Sequence, residues 1–180
     1  DPGAGDGVIL SAALARLDLP ADHIAATDRV RGYEFHPGAA QSARAAVSSH
    51  LRQRGWTSGP AAAAAERIVE QRDFLLSPLV VGSCQVIAMN PPFLRRVGLP
   101  AAYRAAFDQA TPAHAQADLL FAYLQKAADL LPVDGAIGLI ASDRFLLNQN
   151  SAALRARLGQ RFRVRSLRRL DAASAFYRPK

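Results

Sequence analysis

Short apolar runs alternate along this chain with longer amphipathic stretches. That rhythm restricts the fold to a mostly parallel sheet wrapped by helices, because parallel strands need crossover connections long enough to hold a helix. Strands are predicted near 30–35 (VRGYEF), 67–73 (RIVEQRD), 84–89 (CQVIAM), 135–141 (GAIGLIA) and 162–170 (FRVRSLRRL). Helical patterns fall at 7–17, 38–54, 116–131 and 149–159. In the third of these, Leu119, Leu120, Tyr123, Leu124, Ala127 and Leu130 share one face. Residues 55–65 (GWTSGPAAAAA) read as a loop running into a helix or linker, and 94–115 as a lid or a surface excursion.

At 180 residues the chain is one domain's worth, with room for a core that needs no disulfide or metal. No apolar run approaches a membrane span. The opening DPGAGDG is not a basic-then-apolar leader. A single cysteine, Cys84, excludes an internal disulfide and fits a reducing, cytoplasmic compartment. The four histidines and Cys84 lack metal-ligand spacing, so no metal is expected. A net charge of +7 suits a polyanionic partner, and the arginines crowd late, from Arg155 to Arg169. That crowding fits either nucleic-acid contact or a solvated strand face, since Arg161, Arg163 and Arg165 alternate with Phe162 and Val164.

Gly3, Gly5 and Gly7 alternate in DPGAGDG and lead straight into a helical pattern. Such a loop lets backbone approach a nucleotide-like cofactor at the edge of a parallel sheet. The next strand ends on Glu34, placed to accept hydrogen bonds from both hydroxyls of a ribose. A third strand runs into Asp73 and Phe74. There a carboxylate could accept from an exocyclic amine while backbone meets a ring nitrogen, although an ordinary turn accounts for this pair taken singly.

The fourth strand runs into Asn90, Pro91, Pro92 and Phe93. This corner suits an amino group attached to an aromatic ring, whose lone pair is delocalised and poorly nucleophilic. The Asn90 side-chain oxygen and the Pro91 carbonyl can accept its two hydrogens and draw the nitrogen toward tetrahedral geometry. Proline fixes the backbone angle that aims the carbonyl and adds no competing donor. Phe93 offers a face for a planar base, worth about 1–3 kcal/mol. The competing arrangement is a strand-ending turn in which Asn90 caps locally and Phe93 fills core.

In this order, DPGAGDG, YEF, RDF and NPPF resemble the motifs of S-adenosylmethionine-dependent DNA adenine-N6 methyltransferases, the gamma-type enzymes of restriction–modification and related phage-defence systems. The similarity continues through residues 117–158 and covers nearly the whole chain. It implies a Rossmann-like class I methyltransferase sheet flanked by helices, with residues 1–180 a partial catalytic domain. The family's first strand would precede Asp1 and its last follow Lys180, and a target-recognition domain is absent, so a fragment is expected.

Carried across, Asp1, Gly3, Gly5 and Gly7 would line the cofactor's methionine end, Glu34 would hold its ribose, and Asp73 and Phe74 its adenine. Asn90 and Pro91 would grip the target amine in the rigid corner completed by Pro92, with Phe93 and Phe176 against the flipped base. Double-stranded DNA is the implied partner, with possible restriction or defence-system subunits. A glutamine amide in a release factor or a guanine amine in ribosomal RNA poses the same chemical problem, and a non-catalytic cofactor- or DNA-binding subunit is a further alternative.

Overall fold

The computed structural model describes residues 1–170. The chain runs α1 (Val8–Arg16), β1 (Gly32–Glu34), α2 (Pro37–Gln53), α3 (Ser58–Ile68), β2 (Val69–Gln71), β3 (Val86–Met89), α4 (Ala101–Ala110), α5 (Leu119–Leu130), β4 (Ala136–Leu139), α6 (Arg144–Leu147) and α7 (Ala152–Arg161). This is an α/β arrangement in which all strand pairs among the described residues are parallel. β1 pairs β2 with Gly32 opposite Val69, and β3 pairs β4 with Val86 opposite Ala136. The four strands form two separate two-stranded sheets rather than one. Residues 1–4 extend the first: the Tyr33 N–H donates to the Asp1 carbonyl, and the Gly3 and Ala4 N–H groups donate to that of Tyr33.

Each sheet has its own core. Leu10 and Leu14 of α1, Val47 and Leu51 of α2, and Ile68 at the end of α3 are buried around the first. Alanines at 40, 43, 61, 64 and 65 are buried between α2 and α3, and such small side chains let two helices approach closely. The second core gathers Phe74, Ile87, Met89, Phe107 and Tyr123. The α5 stripe is buried as its periodicity predicts, but Phe121, Ala122, Gln125 and Ala128 are buried too. Phe121 and Leu120 face a third cluster with Leu154 of α7, so α5 is enclosed on two sides.

Of the two alternatives for residues 55–65, the loop running into a helix is the one formed: α3 begins at Ser58 and its alanines form part of the first core. One expectation needs correction. The strand predicted at 162–170 does not form: these residues are almost wholly exposed, with no ladder partner among the described residues. Alternating apolar and basic residues give a strand pattern, but a strand exists only where an edge is available to pair with it. Phe176 lies outside the described residues.

Candidate active site

The glycine loop takes its shape from left-handed backbone. Gly5 and Gly7 sit at φ 54° and 84°, which side chains strongly disfavour. A Cβ on Gly7 would stand 3.0 Å from Ala43 Cα, so the loop closes against α2 only without a side chain there. Glu34, at the end of β1, binds this loop directly. One carboxylate oxygen accepts the Gly5 N–H at 2.8 Å and the other accepts the His36 N–H at 2.8 Å. A carboxylate has about four lone-pair positions, so two remain open. Both carboxylate oxygens of Asp1 are buried with no hydrogen-bond partner.

Asp73 follows β2 by two residues. Its Oδ1 accepts the N–H groups of Leu75 and Leu76 at 2.7 and 3.1 Å, shaping the turn that buries Phe74. The Phe74 ring lies 6.0 Å from Tyr33 and 5.2 Å from Tyr123, with Lys126 Nζ 5.3 Å above it. Lys126 also donates to the carbonyls of Leu75 and Ser77 at 2.7 and 2.6 Å, and burial lowers its pKa.

Tyr123 connects these parts. Its ring lies beside Gly3, where a Cβ would be 3.5 Å away. Burial raises its hydroxyl pKa, and the carboxylates of Asp73 and Glu34 raise it further. The structure thus gathers Gly3, Glu34, Asp73 and Phe74 around one tyrosine. The sequence marks Tyr123 only as a core position on a helix face; nothing local sets it apart from its leucine neighbours.

Segment 94–115 reaches this group through Tyr103 of α4. The Tyr103 ring meets Phe35 edge-on at 6.3 Å and stacks on Phe107 at 6.4 Å. Burial raises its hydroxyl pKa, and the nearby Asp73 carboxylate raises it further. Arg96 pairs bidentately with Asp108 and holds the start of the segment to α4.

The corner at Asn90 is built differently. β3 delivers Asn90 one residue beyond buried Met89, and Pro91 is buried. The Asn90 side chain is exposed and makes no hydrogen bond to any described residue. Phe93 is 46% exposed and outside every core cluster. Neither half of the local-cap arrangement is present. Backbone bonds anchor the chain just beyond Phe93: the Arg96 N–H donates to Ala117 and the Leu119 N–H to Leu94, at 3.2 and 2.9 Å. No hydrogen bond or ring contact among the described residues joins this corner to the glycine loop.

A cavity of about 510 Å³ opens beside the corner, lined in part by Arg95, Asp118, Phe121 and Arg144. A more open depression of about 620 Å³ at the α2–α3 turn, with Arg52 and Trp56 in its wall, includes none of the predicted site residues. Two of the late arginines serve the fold. Arg155 donates to the carbonyls of Phe145 and Asn148 at 2.8 and 2.9 Å, and Arg161 to that of Leu131, so both brace the structure.

The glycine loop and the exposed NPPF corner sit on an α/β frame, and comparison with known proteins places the chain in a methylase family. Residues 59–176 match the family described as Eco57I restriction-modification methylase. The chain belongs to that family. It is 30% identical over 139 residues to the Type II methyltransferase M.PaeR7I of Pseudomonas aeruginosa, covering 77% of this chain and 24% of that protein. Against M.XhoI of Xanthomonas vasicola the identity is 29% over 137 residues, covering 74% and 24%. Against M.BstVI of Geobacillus stearothermophilus it is 28% over 194 residues, covering 98% and 34%. The chain therefore spans about a quarter to a third of the length of these relatives. No solved structure matches it significantly. Among the described residues, no helix is long and apolar enough to cross a membrane, and no cluster of metal-ligating side chains occurs.

Proposed function

We propose that this chain supplies the cofactor site and the target-amine site of a DNA adenine-N6 methyltransferase, and that its two parallel strand pairs belong to one Rossmann-like sheet. The observation that carries the reading is the Asn90 side chain, left unpaired and exposed at a corner whose neighbouring proline is buried. An exposed amide that no protein group engages keeps its donor and acceptor available; beside a half-exposed aromatic ring it suits a planar, amine-bearing substrate.

The residues present fit S-adenosylmethionine. The unpartnered Asp1 carboxylate suits the cationic methionine end, and Gly3, Gly5 and Gly7 leave room for close backbone approach. Glu34 keeps two acceptor positions for ribose hydroxyls while Gly5 and His36 hold it in place. The Phe74 backbone and the remaining Asp73 oxygen suit the adenine ring. The bound cofactor supplies an electrophilic methyl group. The chain's own residues position and polarise: Asn90 Oδ1 and the Pro91 carbonyl accept the two amine hydrogens, and Phe93 stacks the base. The proton leaves after the new bond forms, so no strong general base is needed and catalysis rests on orientation and fixed dipoles.

The adenine must leave the duplex, at a cost of a few kcal/mol, and arginine contacts to phosphates offset part of it. Double-stranded DNA is the partner in this reading, and a companion restriction or defence subunit is a further proposal. The test is to incubate the intact protein with methyl-labelled S-adenosylmethionine and either duplex DNA, release factor or ribosomal RNA. Label in N6-methyladenine is expected. Label only in a glutamine amide or in guanine overturns the reading, and cofactor binding with no transfer to any substrate makes the chain a non-catalytic subunit.

A further inference from the structure

The cavity beside the NPPF corner carries more than the residues already assigned. Three arginines, Arg95, Arg96 and Arg144, line it against one carboxylate, Asp118. Arg96 is neutralised by Asp108 outside the cavity. Arg95 and Arg144 form no ion pair and no side-chain hydrogen bond among the described residues. Both lie within electrostatic reach of Asp118, whose pKa burial raises, and one oxygen of Asp118 is already committed to the Leu120 N–H at 3.0 Å. Two guanidinium groups thus converge on a space with too little negative charge to match them.

The frame holding them is ordered. Arg95 sits in an antiparallel bridge with Asp118, flanked by the two backbone bonds of Arg96 and Leu119. Arg144 opens α6, whose C-terminal turn Arg155 ties down through two carbonyls. Val97, 76% exposed, and the largely buried Phe121 add apolar lining. A volume of about 510 Å³ lies within the range of nucleotide-sized sites. Guanidinium forks over an apolar wall suit a phosphodiester with its sugar.

We propose that this cavity is a phosphate clamp, in which Arg95 and Arg144 grip the DNA phosphodiester next to the adenine extruded onto Phe93. Arg95 lies two residues beyond Phe93, at most about 7 Å along an extended chain, so a base on the ring and its own flanking phosphate are reached together. The clamp rests on the methyltransferase reading and adds to it: it holds the displaced backbone beside the gap that base extrusion leaves. Arg155 and Arg161, by contrast, spend their guanidinium groups on carbonyls of the fold.

The experiment uses the intact protein and a duplex containing the adenine that it methylates. Binding is followed by fluorescence anisotropy across a salt series for wild type, Arg95→Ala, Arg144→Ala and the double variant, with cofactor affinity measured alongside. The double substitution is expected to reduce the slope of log affinity against log salt by about 0.9, the contribution of the one phosphate gripped, each single substitution by part of that, and all of them to leave cofactor affinity unchanged. Arg144→Lys retains the slope. Replacing the phosphate beside the target adenine with a neutral methylphosphonate reproduces the slope loss in wild type and adds nothing in the double variant. Unchanged slopes with methylation still detected overturn the clamp and leave the methyltransferase reading standing. A methylphosphonate effect that persists in full in the double variant overturns it as well. If the protein neither binds nor methylates duplex DNA, both readings fall.

Discussion

Around the glycine loop most polar groups are matched inside the protein, the buried Asp1 carboxylate excepted: Glu34 holds Gly5 and His36, Asp73 holds its own turn, and Lys126 holds two carbonyls. Around Asn90 the reverse holds. The amide, Phe93, Arg95 and Arg144 face outward without partners among the described residues, on a frame fixed by buried Pro91 and backbone bonds. On the proposed function, the difference reflects two tasks. A binding loop gains affinity by being built before its ligand arrives. A group that must hold a reacting amine has to keep its acceptor free until that amine is there.

Removing Asn90 strikes this contrast hardest. Asn90→Ala is expected to lower methyl transfer by about 10²–10³-fold, the usual effect of losing one preorganised polar group, with calorimetric cofactor affinity unchanged. Loss of both would make Asn90 structural and erase the distinction. Glu34→Ala tests the other side. It removes acceptors from Gly5 and His36 as well as from the proposed ribose, and hydrogen bonds to a charged group contribute about 1.5–3 kcal/mol each. Cofactor affinity should fall at least tenfold while the fold persists by circular dichroism; an unchanged affinity takes Glu34 out of the site.

Two glycine variants sharpen the comparison within the loop. Gly7→Ala combines a left-handed backbone with a Cβ 3.0 Å from Ala43 Cα, whereas Gly5→Ala meets nothing within 4 Å. The conformational part costs about 1–2 kcal/mol at either position, so denaturation midpoints should drop further for Gly7→Ala. Equal drops would show that packing against α2 does not limit the loop.

The smallest effect concerns ion pairs on either side. Hydrogen bonds from Arg67 to Asp28 and from Arg96 to Asp108 hold both carboxyls below the ordinary carboxylate range. A depressed folded-state pKa stabilises above the unfolded value and loses that contribution as pH falls through the folded one. Asp28→Asn and Asp108→Asn should each flatten the acid limb of a stability profile, and only Asp108→Asn should loosen α4 around Tyr103. A change in Tyr103 fluorescence with Asp28→Asn instead would mean that the two sides are coupled.

Periodicity located the elements well: the helices at 7–17, 38–54 and 116–131 and the four paired strands all lie where apolar spacing puts them, most of them shortened at their ends. The helical pattern at 149–159 became a short turn and then α7. Residues 162–170 had the same alternation as a strand and formed none, because alternation describes a face and not a neighbour. Residues 55–65 read as a loop running into a helix or linker, and the helix is what formed, with Ala61, Ala64 and Ala65 buried on α3. Of the candidate site, Glu34, Asp73, Phe74 and Asn90 were legible because each ends a strand or opens a turn. Tyr103, Tyr123 and Arg144 were not, since each reaches the site from a separate helix.

Taken alone, the order of residues carries the family, the α/β rhythm and the residue types at each strand end, because these depend on local spacing and local backbone geometry. Which of those residues meet is a property of the folded chain: Glu34 closes on Gly5 across 29 positions, and two arginines are left facing one cavity. Contacts of that kind arise from how helices pack on the strands, and packing depends on the whole core at once.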